Sequence, residues 1–356
     1  MRLARLIVRD VRNLEAIDWR PVDGLNVLVG PNGGGKTSLL EAIHLAAVGR
    51  SFRTRDTDRV IRQGCKGLSV GAWFKCDDGQ LRHVRLQRES GASRIHLDQQ
   101  PLRSASELAR NVPVLALSQD GLVRFRSSRG ERRAVLDWGL FHVEPAFHSA
   151  WSRYCQSLAQ RNAALRARQP DAPWLGLLAE TGEALTVARF EYVERLQDRV
   201  DDIVHRLGLD FAITIALHPG WRDGVSLAQY WVDGRDRDRA VGYTIGGPHR
   251  ANLVARVDGK LGFDLLSAGQ VKLVYLVVRL AQLEQLLACS PLAEAIVFFD
   301  DLSAELDERH LQAVLGLLSD HRLQRFVTSP TRSGGLGVSG GAVFHVEHGT
   351  VTPVSF

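Results

Sequence analysis

The chain has 356 residues, of which 45% are hydrophobic, and a mean hydropathy of −0.10. That length supports one large domain or two modest ones with a sizeable core. No apolar run approaches the roughly 20 residues needed to span a bilayer; the best, Leu273–Val278, stops at Arg279. The formal net charge is +5 with a pI of about 9.2, a balance that favours a polyanionic partner. Arg2 and Arg5 are followed by no apolar segment of the signal-peptide kind, so a cytoplasmic protein with no membrane partner is expected. Cys65, Cys76, Cys155 and Cys289 have no metal or redox spacing and are expected to be buried thiols.

In chain order, Leu3 to Val8 and Leu25 to Val29 read as strands around an Asp23-Gly24 turn. A glycine-rich loop follows, then a helical pattern from Lys36 to Val48. Leu68 to Leu97 alternates apolar and polar residues about Asp78-Gly79, as antiparallel strands do, and Val114 to Leu117 is a short apolar strand. From Ser127 to about Gly208 the pattern is helical, broken at Pro145 and at 170–173. Within it Arg189, Tyr192, Glu194, Arg195, Asp198 and Arg199 are expected to form a solvated face over Val187, Phe190, Val193, Leu196 and Val200. Strands return at Phe211 to Leu217 and Leu253 to Val257. Helix at Ala268 to Ala288, strand at Ala295 to Phe299, helix at Glu308 to Leu318 and strand at Arg325 to Thr328 give the alternation of a parallel sheet.

Gly30-Pro31-Asn32-Gly33-Gly34-Gly35-Lys36-Thr37 fits the P-loop pattern in full, with a strand running in and a helix running out. Glycines let backbone N–H groups wrap phosphates, and the helix N-terminus adds positive potential there. Lys36 is expected on the β- and γ-phosphates of ATP, Thr37 on Mg²⁺, and Ser38 completes the nucleotide set. Ala295 to Asp301 reads as the Walker B strand, Asp300 holding Mg²⁺ through its water shell and Asp301 polarising the attacking water. Asp301 is shorter than the glutamate most ABC ATPases carry here, which predicts slow hydrolysis.

Leu266-Ser267-Ala268-Gly269-Gln270 opens a helix shortly before that strand. Ser267 is a good N-cap, and Ser267, Gly269 and Gln270 with the helix dipole make an anion site; taken alone the run is equally a helix cap. In the order P-loop, signature, Walker B, with Ser303 to Asp307 as a D-loop, these motifs are those of an ABC-type head. In that class Ser267 contacts the γ-phosphate bound to a second subunit. Gln119 is the Q-loop candidate, serving both Mg²⁺ and catalysis, and Thr328 or Ser329 occupies the switch position where many ABC proteins carry histidine.

The ordered set of Arg12-Asn13, Gly49 to Thr54, Glu131-Arg132-Arg133, Leu136 to Gly139, Gln160 to Ala163, Gly247 to Arg250 and Ser267 to Lys272, with Asp300-Asp301, resembles the RecF family of bacterial DNA gap-repair proteins over nearly the whole chain. The resemblance implies an α/β ABC-type head, a mixed sheet with helices, spanning 1–125 and 238–356, with a mainly helical arm inserted at 126–237. It implies an ATP-dependent homodimer on double-stranded, gapped or single-stranded DNA, and work with RecR and RecO that helps load RecA. Gln119-Asp120 stands where many relatives have Pro-Glu, and Ala268 where some carry arginine. A transporter ATPase subunit and a P-loop nuclease remain as alternatives. The first usually has a switch histidine and a shorter stretch between Q-loop and signature; the second needs a further acidic cluster, not seen after Thr331. Arg50, Arg53, Arg55, Arg59 and Arg62, and Arg124, Arg126, Arg129, Arg132 and Arg133, are two candidate groups for DNA phosphates or, equally, for internal ion pairs. His249 is expected to be structural.

Overall fold

A computed structural model describes residues 1–76, 78–89, 91–102, 104–289, 294–301, 308–320, 322–330 and 341–354. Packing divides the chain into two units, Met1–Leu122 with Ser290–Phe356, and Val123–Cys289. The chain begins with β1 (Arg2–Val11), β2 (Leu14–Trp19), β3 (Leu25–Val29), α1 (Lys36–Val48), β4 (Gly67–Lys75), β5 (Leu81–Glu89), β6 (Ala92–Leu97), β7 (Gln100–Pro101), α2 (Ala105–Asn111), β8 (Val114–Ser118) and α3 (Gln119–Ser127). The second unit carries α4 (Arg129–Val143), α5 (Phe147–Arg166), α6 (Ala172–Arg206), β9 (Ile213–His218), α7 (Leu227–Asp233), α8 (Arg235–Val241), β10 (Asn252–Val257), β11 (Lys260–Leu261) and α9 (Ala268–Cys289). The chain returns to the first unit with β12 (Ala295–Asp300), α10 (Glu308–Leu317), β13 (Leu323–Ser329), β14 (Ala342–Glu347) and β15 (Thr350–Val354).

In the first unit, the described residues form an antiparallel sheet ordered β2-β1-β4-β5-β6-β7 and a mixed sheet ordered β15-β14-β3-β13-β12-β8. The alternation in β1 and β4 points Leu6, Val8, Val70 and Phe74 inward, where they join Leu39, Leu40 and Ile43 of α1. Leu28, Ile296, Phe298 and Phe326 of the mixed sheet belong to the same core. Because α1 is buried along almost its whole length, it needs no polar face; each buried Leu or Ile contributes about 2 kcal/mol. Gly49, at φ 74, ends α1 in the left-handed region and returns its N–H to Leu45 O. Gln324 of β13, fully buried, accepts from Leu3 N at 2.7 Å and donates to Leu3 O at 2.9 Å. It thereby ties β13 of the mixed sheet to β1 of the antiparallel sheet with a strand-like pair of bonds.

In the second unit α5 and α6 pack together, α6 also lies on β9 and α9, and β9-β10-β11 form a small antiparallel sheet. Pairing of β10 with β9 and packing of α9 on α6 place residues 238–289 in this unit. The face of α6 differs from its expectation. Val193, Leu196 and Val200 are buried as anticipated, but so are Arg189 and Tyr192, whereas Val187 and Phe190 are 54% and 42% exposed. The phase is set by Leu178, Leu185, Tyr192, Leu196 and Ile203, and Arg189 is tolerated in it because Asp137 of α4 takes its guanidinium with two bonds of 2.8 Å. Gly139 is required at this junction, since a Cβ there would come 1.8 Å from Tyr192 Oη.

A second polar lock centres on Arg161, which is fully buried and bonds Asp171, Asp238 and Thr244 Oγ1. Asn162 beside it accepts from Thr244 N at 2.8 Å. The cysteines are not the buried thiols expected: Cys65, Cys76 and Cys155 are half-buried and Cys289 is exposed. Cys65 donates to Asp10 Oδ1 at 3.3 Å. Among the described residues no helix is long and apolar enough to cross a membrane.

Candidate nucleotide and metal site

The four parallel strands β3, β13, β12 and β8 end together. Register places Val29 beside Ser329, Phe299 beside Val327 and Asp300 beside Ser118. The residues that follow, Gly30, Pro330, Asp301 and Gln119, therefore emerge at one edge, the carboxyl edge of the sheet where α/β proteins bind ligands. This brings the P-loop, Asp300, Asp301, Gln119 and the switch-position residues to one place.

The P-loop backbone is built for glycine. Gly30, Gly33 and Gly35 have φ of 151, 80 and 113, and a Cβ on Gly30 or Gly34 would sit 2.1 or 2.6 Å from Val346 O. Lys36 starts α1, with Nζ donating to Gly30 O at 2.7 Å and Pro31 O at 3.0 Å, so its ammonium is folded back inside the loop. Burial lowers its affinity for a proton, while the carboxylates of Asp301 and Asp300 pull the other way. Asn32 is exposed, whereas the Ser38 hydroxyl is turned to Asn13 Oδ1 at 2.7 Å.

Thr37 Oγ1 donates to Asp300 Oδ1 at 2.8 Å, and Thr328 Oγ1 lies 3.2 Å from the same oxygen. Burial pushes the Asp300 carboxyl up from its ordinary value; the Thr37 bond opposes this and neighbouring Asp301 adds to it. A buried carboxylate beside a hydroxyl is a hard oxygen donor set of the kind that suits Mg²⁺. Asp301 is exposed, has a φ of 58, and donates its N–H to Thr328 Oγ1 at 2.8 Å. The left-handed backbone turns the chain sharply at the sheet edge. Thr328 is fully buried and Ser329 nearly so. Gln119 is exposed at the first position of α3.

Two supports carry no role in the sequence reading. Asn13 Nδ2 donates to Gly33 O at 2.8 Å, bracing the loop from the β1–β2 turn. Beside it Arg12, at φ 56, makes a two-bond pair with Glu41 of α1 at 2.8 and 2.9 Å. Glu41 is fully buried and also accepts from Ser51 Oγ. Their only signal in sequence is the Arg12-Asn13 pair itself. In the second unit Ser267 Oγ accepts from Gln270 N at 3.2 Å and Gln270 Oε1 accepts from Ser267 N at 3.0 Å, a reciprocal capping box at the start of α9. Ser267 and Gly269 are exposed. The D-loop candidate, Ser303 to Asp307, lies outside the described residues.

The two arginine groups divide. Arg53 bonds Asp120 at 3.2 Å, Arg59 pairs with Asp56 at 3.3 Å, and Arg62 with Glu15 at 2.8 Å. Arg132 is buried and bonds Asn252 Oδ1, Phe125 O and Arg126 O, so it is structural. His249 is also structural: Nδ1 meets Tyr154 Oη at 2.7 Å, Nε2 meets Thr244 O at 3.1 Å, and burial holds its pKa down at about 4.

A P-loop and an acidic strand end on one edge of a mixed sheet, with a mainly helical unit interposed in sequence, define an ATPase head of the ABC and SMC class. The family described as RecF/RecN/SMC N terminal domain matches residues 2–336. The DNA replication and repair protein RecF of Xanthomonas oryzae pv. oryzae is 41% identical, over 99% of this chain and 98% of its own length. RecF of Thioalkalivibrio sulfidiphilus is 38% identical over 99% of both. The chain belongs to the RecF family of DNA replication and repair proteins. Its fold is similar to that of the recombination mediator protein RecF solved with ATP, with a TM-score of 0.89, 22% identity and coverage of 99% and 98%. It is more distantly similar to an Smc head bound to the C-terminal winged-helix domain of ScpA, with a TM-score of 0.59, 16% identity and coverage of 100% and 98%.

Proposed function

We infer that this protein is an ATP-gated DNA-binding switch of recombinational repair. The observation that carries the reading is the bond between Thr37 and Asp300 at the sheet edge where the P-loop and Gln119 also end. Gly30 to Lys36 cradle the phosphates, Lys36 leaving Gly30 O and Pro31 O to meet them. Thr37 and Asp300 would hold Mg²⁺, with Gln119 beside them, and the ion would supply positive charge that offsets the phosphates. Asp301 orients the attacking water, and its short side chain keeps hydrolysis slow. Ser267 and Gly269, capped by Gln270 and standing at the N-terminus of α9, receive the γ-phosphate of a second copy, so ATP joins two heads. The dimer holds gapped DNA, and with RecR and RecO it aids RecA loading in the cytoplasm.

The test is the size of the purified protein with no nucleotide, ADP or ATP, each with and without a gapped duplex. A monomer that dimerises with ATP alone and holds DNA best in that state is expected. A protein whose size and DNA affinity ignore ATP would overturn the switch. ATPase activity that needs a membrane partner rather than DNA would favour the transporter alternative.

A further inference from the structure

The inner face of the antiparallel sheet is consumed by the core around α1. Its outer face is a separate surface, and it has a definite chemistry. Strand alternation and register assign it: Arg5, Ile7 and Arg9 from β1; Ser69, Gly71 and Trp73 from β4; His83, Arg85 and Gln87 from β5; Arg94 and His96 from β6. Arg9, Ser69, Gln87 and Arg94 form one row across four strands. Ile7, Gly71, Arg85 and His96 form the next. At about 4.8 Å per strand, Arg9 and Arg94 stand about 14 Å apart, with Arg85 in the neighbouring row between them.

Arg9, Arg85 and Arg94 are exposed and make no ion pair among the described residues. Most other arginines of this unit behave differently: Arg2, Arg5, Arg12, Arg53, Arg59, Arg62, Arg82 and Arg88 each meet a carboxylate. On the outer face Asp18 is already taken by Arg5, through Nε at 2.8 Å, and Asp98, whose charge acts on His83, is taken by Arg82; Glu89 lies at the far end of β5. The floor between the three cations is small. Gly71 has no side chain, and a Cβ there would meet only ordinary contacts at 3.6 Å and beyond. One end of the floor is walled by a stiff stack, with His83 on Trp73 at 4.3 Å and 15° and the Arg5 guanidinium 5.1 Å from the Trp73 ring.

Unpaired guanidinium groups around a shallow floor, bounded by rings, suit a flexible chain of phosphates. We propose that the outer face of β1, β4, β5 and β6 is a docking surface for the backbone of single-stranded DNA, with Arg9, Arg85 and Arg94 as its phosphate contacts. Cations on a flat sheet can follow a single strand, as nucleic-acid platforms do, and phosphate contacts of this kind carry no sequence preference. The surface rests on the DNA-binding reading above and places part of that binding on a face distinct from both arginine groups found in the sequence.

The test uses the full chain and a fluorescein-labelled oligo-dT 30-mer, with affinity measured by anisotropy across a salt series with ATP and without nucleotide. The variant is Arg9→Ala/Arg85→Ala/Arg94→Ala, three exposed positions whose loss leaves ATP-dependent sizing unchanged. Three single-strand phosphate contacts account for a slope of about 2 in log affinity against log salt, at about 0.7 each. The variant is expected to lose that much slope, and affinity should fall roughly tenfold or more at low salt. Wild-type binding with an unchanged slope in the variant would overturn the surface and leave the DNA-binding reading standing. A wild-type chain that binds no DNA in either nucleotide state would overturn both. Polyglutamate binding as tightly as the oligonucleotide, and losing as much in the variant, would reassign the face to an acidic protein.

Discussion

Asn13 braces the P-loop from outside it, its side-chain amide donating to Gly33 O at 2.8 Å while its other side-chain atom, Oδ1, accepts from Ser38 Oγ at 2.7 Å. The loop is thus held in shape by a residue that need not touch the nucleotide. Each such bond contributes about 1 kcal/mol net. Asn13→Ala is expected to weaken ATP binding about tenfold in calorimetry and to lower the unfolding free energy by about 2 kcal/mol, since both bonds are lost. An unaltered affinity would show that the glycine backbone holds its shape unaided.

Lys36→Met keeps most of the stem and removes the ammonium that Gly30 O and Pro31 O receive. Burial already disfavours that charge, so the nucleotide-free protein should lose little stability. ATP-driven dimerisation should disappear in gel filtration. A variant that still dimerises with ATP would contradict the P-loop assignment.

The P-loop and Walker B were legible because their chemistry is local: glycines at fixed spacing, a helix start, and an apolar strand ending in acid. The helix from Lys36 to Val48 and the breaks at Pro145 and 170–173 were legible for the same reason. The buried face of α6 was not. Arg189 reads as solvated until Asp137, 52 positions away, is placed beside it, and Val187 and Phe190 read as core until the neighbours of α6 are known. The small strands β14 and β15 were missed too. Their place depends on β14 pairing with β3, more than 300 residues earlier in the chain. Asn13 and Glu41 were invisible as supports because each acts through a partner that only the fold supplies.

Ser267 has two jobs in the proposed scheme, capping α9 and meeting a phosphate. Ser267→Arg removes both, with the lost cap costing about 1 kcal/mol. Ser267→Asp separates them, since aspartate caps as well as serine but repels a phosphate. Both variants should bind ATP normally and fail to dimerise, and the aspartate variant should match wild type in thermal unfolding. An ATP-dependent dimer of Ser267→Asp would sink the sandwich arrangement.

Arg189 is 2% exposed and its partner Asp137 is largely covered. Arg189→Met leaves a buried carboxylate without its cation and Pro248 O without its donor. A loss of about 3–5 kcal/mol is expected in urea unfolding. Asp137→Leu added to it should restore much of that loss, because the uncompensated charge is then gone. A single variant within about 0.5 kcal/mol of wild type would mean that water reaches Asp137 freely.

Acid should destabilise the protein through its buried histidines. Burial holds His44, His142 and His249 at about 4, against an ordinary value of 6.5. A depressed histidine takes its proton in the unfolded chain first, so its full contribution is present above pH 6.5 and is lost as pH falls toward 4. For His249 that difference corresponds to roughly 3 kcal/mol, at about 1.4 kcal/mol per unit. His249→Gln keeps a side-chain acceptor for Tyr154 but cannot titrate. Its unfolding free energy, measured in urea at steps from pH 7 to pH 4, should fall less steeply than wild type by about that amount, the other two histidines supplying the remaining slope. Parallel profiles for variant and wild type would mean that His249 takes its proton in the folded chain as readily as in water.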